Sequence, residues 1–305
     1  MNKNNILEDL YQSYFQSDTS YSRVTSSHWK VVGKQTVTRK TDGSFDLHGL
    51  GFGHRISSNI FSQLCHIPEL ILVKELLSKF PEYSDAEGFG RRIARKQSFM
   101  FGYDCLRQSL AASYIKRSLE DADIKRICVI GDGYGYTGAL LKSLWPDAQI
   151  IEVNLGRTLM FDVDYIHKVF PTASLSLATK ASEIQSNSDF LFLAAEQYEW
   201  LQGSSINLFV NISSMQEMSL DIINNYLSLM RSSSIKNPFF YCCNRVEKQL
   251  PDGEVVLFEQ YGWSLDDMIL DDELCPWYKQ YPASLPPFWR SFDGPIRHRL
   301  VRLAN

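Results

Sequence analysis

The stretch Ile127-Cys128-Val129-Ile130-Gly131-Asp132-Gly133-Tyr134-Gly135-Tyr136-Thr137-Gly138 decides how the rest of the chain is read. It opens with four apolar residues, three of them β-branched, which is the pattern of a short buried strand. Glycine then falls at every second place, at 131, 133 and 135. A helical spacing follows, carried by Ala139, Leu140, Leu141, Leu144 and Trp145. A strand, a glycine turn and a helix N-terminus together bring bare backbone N–H groups close to a nucleotide. A Cβ in such a turn would obstruct both the bend and the ligand.

Downstream of this stretch, apolar runs and helical patterns alternate. Strands are expected at 126–130, 149–153, 174–178, 190–194, 206–211 and 238–243, and helices at 137–145, 158–169, 196–201 and 219–231. That alternation predicts an α/β fold, a Rossmann-like sheet with helices on both faces and ligands at the carboxyl ends of its strands. After Asn244 the pattern loosens into an aromatic, loop-rich insertion at about 245–292, closed by an antiparallel edge strand at 298–303. We therefore place one domain at 121–305.

Residues 1–120 read as a mostly helical N-terminal region covering the nucleotide site. Ile6, Leu7, Leu10, Tyr11, Tyr14 and Phe15 recur at helical spacing. A weak hairpin pattern spans 29–48, turning at Thr41-Asp42-Gly43-Ser44. The glycine-rich run 49–54 follows no apolar strand and reads as a connection. Helices are expected at 68–80 and 89–119.

The net charge of −4 gives no electrostatic case for nucleic-acid binding, and the cluster Arg91, Arg92, Arg95, Lys96 reads as one helix face. The six cysteines form no C-x-x-C pair and no His/Cys/Asp cluster has metal-ligand spacing, so reduced thiols and no structural metal are expected, while a Mg²⁺ ion on carboxylates from scattered positions, assisting hydroxyl ionisation, stays open. The polar start of the chain and the lack of a long apolar run lead us to expect a cytoplasmic protein without a membrane span. The oligomeric state is left open.

Two stretches point to a family. Val129-Ile130-Gly131-Asp132-Gly133-Tyr134-Gly135 resembles motif I of class I methyltransferases dependent on S-adenosylmethionine (SAM). Together with Phe209-Val210-Asn211-Ile212-Ser213-Ser214-Met215-Gln216-Glu217-Met218, it resembles the sugar O-methyltransferase family. The resemblance covers residues 125 to about 245. It implies SAM as cofactor and a sugar hydroxyl of a glycan or glycosylated metabolite as methyl acceptor.

Carried over by position, the resemblance puts Gly131, Asp132, Gly133, Tyr134 and Gly135 at the cofactor, with Asn211 close by. Many such enzymes carry an acid two residues before the first glycine, where this chain has Val129. The ribose is normally held by an acid at the end of the second strand. Here Glu152 qualifies by charge and Asn154 by alignment. The stretch 192–197 is placed to flank the adenine.

Methyl transfer to a hydroxyl needs an aligned acceptor and a base for its proton. Glu217, after a strand end, and His54, after the glycine-rich run, are the catalytic candidates. Asn244 and Arg245, at the end of the strand 238–243, are candidates for the acceptor, with Arg245 suited to an anionic group. Trp263, Trp277 and Trp289 offer faces for sugar stacking. Tyr103 and Asp104 would reach the cofactor from the N-terminal cover. Two other readings stay open. The glycines 133, 135 and 138 also satisfy G-x-G-x-x-G, which suits an NAD(P)-dependent oxidoreductase. The departures at Val129 and Asn154 suit a non-catalytic protein on a decayed methyltransferase fold.

Overall fold

The computed structural model describes residues 2–15, 26–28, 36–48, 52–56, 64–283, 286–292 and 294–305. The first part holds α1 (Lys3–Tyr14), a hairpin of β1 (Thr36–Arg39) and β2 (Phe45–His48), then α2 (Ile67–Lys79), α3 (Ser84–Lys96) and α4 (Tyr103–Ser118). Alternation begins with β3 (Arg126–Ile130), α5 (Tyr136–Leu144), β4 (Gln149–Asn154) and α6 (Gly156–Val169). It continues through β5 (Leu175–Leu177), β6 (Phe190–Ala194), β7 (Leu208–Ile212), α7 (Leu220–Arg231) and β8 (Phe239–Arg245). The last part holds β9 (Glu247–Gln249), β10 (Val255–Leu257), β11 (Met268–Leu274), β12 (Gln280–Pro282), β13 (Trp289–Ser291) and β14 (Ile296–Arg302).

Eight strands form the central sheet in the order β5-β6-β4-β3-β7-β8-β14-β11. β3 pairs in parallel with β4 on one side and β7 on the other, so the strand order reverses there. A ligand crevice belongs at such a reversal, outside the carboxyl ends of the strands. β14 is antiparallel to both neighbours, β8 and β11. This is a Rossmann-like α/β sheet, mostly parallel, preceded by a mostly helical N-terminal region.

Alternate residues of each strand feed opposite faces, as the two-residue period of a strand requires. Ile127, Val129, Ile150, Phe190, Phe192 and Val210 meet α1, α4, α5 and α6 in one buried cluster. Cys128, Ile130, Ile151, Val153, Leu191 and Phe209 meet Ile223, Tyr226, Leu227 and Met230 of α7 in the other. Both faces of the inner strands are dry, which is why they read as unbroken apolar runs. α4 is buried along almost its whole length, so apolar packing runs continuously from the N-terminal region into the sheet.

Three expectations change. The helix expected at 89–119 is two helices, broken between Lys96 and Tyr103, where Ser98 takes a left-handed φ of 65°. The insertion at 245–292 contributes β11 to the central sheet. Its sequence hides this because it is an edge strand with acids at 271–273 and little burial. The hairpin exists as β1 and β2, but the expected strand residues 29–35 lie outside the described residues. Among the described residues, no helix is long and apolar enough to cross a membrane. All six cysteines are free thiols.

Candidate functional site

The turn after β3 is built from its glycines. Gly131 has φ 74° and donates its N–H to Val153 O at 2.8 Å, and a Cβ there would overlap the Ser214 hydroxyl. Gly133 has φ 84°, and a Cβ on it would meet no protein atom, so its bare backbone faces open space. Asp132 turns inward. Its carboxylate accepts the N–H groups of Tyr136 at 3.1 Å, Thr137 at 3.2 Å and Gly138 at 2.7 Å. It thus satisfies three otherwise orphaned donors at the start of α5. Burial pushes its carboxyl up to about 6, against the pull of those N–H groups.

Gly135 donates to Asp162 Oδ1 at 2.9 Å and lies against Ile166. The Tyr134 ring turns to the N-terminal region and stacks on Phe52, 5.5 Å between centroids. Of the five loop residues assigned to the cofactor, Gly131 and Gly133 line the crevice, while Asp132, Tyr134 and Gly135 shape it from behind.

The crevice is a narrow, mostly apolar cavity of about 50 Å³. Gly131, Gly133, Asn154 and Thr158 form one side, and Met218 and Tyr226 the other. Asn154, the positional candidate for the ribose, is in this wall. Its amide donates to Asp162 Oδ2 at 2.9 Å and its oxygen accepts Leu155 N–H at 3.0 Å. From the adenine-flanking stretch, Ala195 reaches the cavity.

Glu152 must be reassigned. It is fully buried beneath α5, both carboxyl oxygens lack hydrogen-bond partners, and it does not line the cavity. Burial, then the neighbouring Asp132 and Asp162, push its carboxyl well above the usual range, so it is a neutral acid. Strand periodicity put it on the same face as Asn154, but that face is covered by a helix two residues before the strand ends.

Asn211 and Asn244 are corrected in the same way. Asn211 donates to Ile130 O at 2.8 Å and accepts from Met215 N–H at 3.2 Å and from the Asn244 amide at 2.8 Å. The Asn244 oxygen accepts Gln216 N–H at 3.1 Å. Both are fully buried. They lace the ends of β3, β7 and β8 together, satisfying the loop backbone as buried polar groups must. Neither lines a cavity at this edge.

Arg245, one residue further, does. It lines a second cavity, of about 380 Å³, with His54, Glu69, Tyr103, Asp104 and Arg107. Tyr103 and Asp104 therefore face this second space. Arg107 is held by Asp104 at 2.7 Å and lies over the Tyr278 ring at 4.6 Å. The Tyr278 hydroxyl is 3.2 Å from that of Ser213, the neighbour of Ser214, which lines the first cavity. The aromatic faces here are Tyr281 and Phe292. Trp277 is a core residue buried against Phe80, Tyr83 and Tyr114, and Trp263, partly buried, packs on Phe240 beneath Arg299 at the edge of the core.

Glu217 ends a 3₁₀ turn, Met215–Glu217. Its neighbour Met218 lines the first cavity, and Arg245 of the second pulls on its charge. His28 Nε2 lies 3.5 Å from Glu217 Oε1. Loss of hydration pushes the Glu217 carboxyl up to about 7, with Lys248 and Arg245 opposing. His54 stands across the second cavity, half exposed, beside Glu69. The two catalytic candidates thus occupy separate places.

The sequence reading missed Thr158, Tyr226 and Arg107. The first two come from helix faces whose cavity-lining residues are indistinguishable from core in pattern. Arg107 carried a signal, a cation within the apolar 103–115 run.

No protein-family model matches the chain, and no curated protein matches it. Among solved structures, the O-methyltransferase TomG from Streptomyces achromogenes, in complex with SAM, aligns at 12% identity and a TM-score of 0.38, over 72% of this chain and 90% of its own. The cyclopropane synthase MmaA2 from Mycobacterium tuberculosis aligns at 8% and 0.41, over 64% and 85%. The N-methyltransferase NodS from Bradyrhizobium japonicum WM9 aligns at 11% and 0.37, over 65% and 97%. Likenesses of this size assign no reaction; the fold rests on the strand order itself.

Proposed function

We propose that this chain is a SAM-dependent O-methyltransferase acting on a sugar hydroxyl. The observation that carries the reading is the bare backbone of Gly133, facing a crevice at the strand-order reversal. A Cβ would occupy that space, so the turn suits the close approach of a ligand's polar tail. Asn154 and Thr158 in the wall supply polar groups for a ribose.

SAM, when bound, supplies an electrophilic methyl group on a cationic sulfur. The acceptor occupies the second cavity, of about 380 Å³, where Tyr281 and Phe292 offer apolar faces and Arg107 and Arg245 offer donors for hydroxyl or anionic groups. Glu217, next to cavity-lining Met218, takes the hydroxyl proton. A carboxyl that titrates near 7 is matched to this work at neutral pH.

The deciding experiment is thermal melting of the purified protein with SAM, S-adenosylhomocysteine, NADH and NADPH in turn. The sulfur nucleosides are expected to raise the melting temperature, by an amount set by concentration over affinity, and the nicotinamides to leave it unchanged. A rise with NADH or NADPH alone, or with none of them, overturns the proposal. Labelled methyl transfer onto sugar acceptors then tests the acceptor class.

A further inference from the structure

His54, His66 and Glu69 come together at the second cavity from two separate segments. His66 precedes α2 and Glu69 lies in its first turn, an i,i+3 pair on one face. His54 arrives on the 52–56 segment, whose backbone is pinned. Gly53 N–H donates to Asp104 at 3.0 Å, Met100 N–H to His54 O at 2.8 Å, and Ile56 N–H to Ser98 O at 3.1 Å.

The distances are informative. His54 Nε2 lies 3.5 Å and His66 Nδ1 3.4 Å from the same oxygen, Glu69 Oε2. The three donor atoms all lie within 4.8 Å of one another. These separations are long for hydrogen bonds. They match the spacing of about 3.4 Å between donors held about 2.1 Å from a tetrahedral ion.

The other carboxylate oxygen, Glu69 Oε1, accepts Tyr103 N–H at 2.7 Å, at the N-terminus of α4. That bond sets the carboxylate so that Oε2 faces both imidazoles. Gly102 is part of the arrangement, since a Cβ on it would overlap Glu69 Oε1. An oriented, buried carboxylate with an outer hydrogen bond is what a metal-binding group requires.

We propose that His54, His66 and Glu69 bind one divalent transition-metal ion, of the zinc and manganese class, with open positions facing the second cavity. Two imidazoles and one carboxylate favour such ions over magnesium, which prefers an all-oxygen shell. The open positions would take oxygen atoms of the acceptor, and an ion-bound hydroxyl loses its proton more readily. In this arrangement His54 is a metal ligand and the base is Glu217. Only the identity of the oxygen donor rests on the methyltransferase reading; metal binding itself does not.

The test uses the full-length, untagged protein, stripped with a chelator and free of SAM and acceptor. Co²⁺ is titrated in and followed by its visible absorption, then displaced with Zn²⁺. One equivalent of Co²⁺ is expected to give absorption bands that one equivalent of Zn²⁺ removes. His54→Ala and His66→Ala should each weaken Co²⁺ binding at least tenfold, with the far-ultraviolet dichroism of the metal-free protein unchanged. Zn²⁺ should raise the melting temperature of the wild type more than that of either variant. Absence of bands, or equal binding by wild type and both variants, overturns the site. Melting of the same metal-free protein with S-adenosylhomocysteine reports separately on the donor crevice, so either proposal can fail alone.

Discussion

The Glu152 carboxyl fills the space that a side chain on Gly138 would need. The acid lies under the first turn of α5, opposite Val129 in the β3–β4 ladder. Asp132 and Asp162 are close enough to raise its proton affinity. Three buried acids therefore gather beneath one glycine turn.

Gly138→Ala is expected to destabilise the protein by about 1–3 kcal/mol through overpacking, read by chemical denaturation. The neutral acid also gives stability a pH dependence. Its folded-state pKa lies above its unfolded value, so the native state holds the extra proton. Stability is then greatest below the unfolded value and falls as pH rises toward the folded one. Glu152→Gln should flatten that fall as pH rises above the usual carboxylate range, while leaving S-adenosylhomocysteine affinity unchanged.

Gly133→Val places a branched side chain in the open space of the turn, at a φ of 84°. The backbone strain is expected to cost about 1–2 kcal/mol. Affinity for S-adenosylhomocysteine, measured by calorimetry, should fall more than tenfold. Unchanged affinity in a folded variant would place the donor elsewhere.

Glu217→Gln removes the proposed base. The wild-type rate should rise with pH through about 7, as the carboxyl ionises. In the variant that limb should vanish and kcat should drop about 10²–10⁴-fold, with far smaller change in KM. Stability moves the other way. A raised carboxyl pKa costs the native state stability as pH climbs through about 7, so the variant should melt higher than wild type at pH 8. A pH profile that keeps its limb would leave Glu217 as a partner for His28 only.

Asn154→Asp adds a fourth acid, next to Asp162. Like charges at this distance oppose ionisation. The melting temperature should drop more at pH 8 than at pH 5. The carboxyls at 132, 152 and 162 already crowd this position, all three raised in pKa by burial first.

The glycine turn and the β/α alternation were legible because buried parallel strands and bare-backbone turns impose local composition. β3, β6 and α7 fell within a residue of their expected bounds. The edge strand β11 was not legible, since its apolar run Met268-Ile269-Leu270 is short, exposed and cut off by the acids at 271–273. The sequence reading brought Gly131, Gly133 and Asn154 to the first cavity and Arg245 to the second, since strand ends open there. It failed at Glu152, Asn211 and Asn244, because polarity at a strand end does not distinguish a ligand from a loop that needs tying. His54, His66 and Glu69 have no joint signature, since the approach of His54 depends on how residues 52–56 return to α4.

Tyr14 closes against Gly156, where an added Cβ would overlap its ring, and its hydroxyl donates to Gln197 at 3.0 Å across 183 positions of sequence. Arg157 donates to Tyr14 O at 2.9 Å, and Lys3 pairs with Asp164 at 3.1 Å. During synthesis the apolar stripe Ile6, Leu7 and Leu10 therefore emerges long before α6, the surface that shelters it. A nascent chain must carry that greasy stripe unshielded until α6 has been translated.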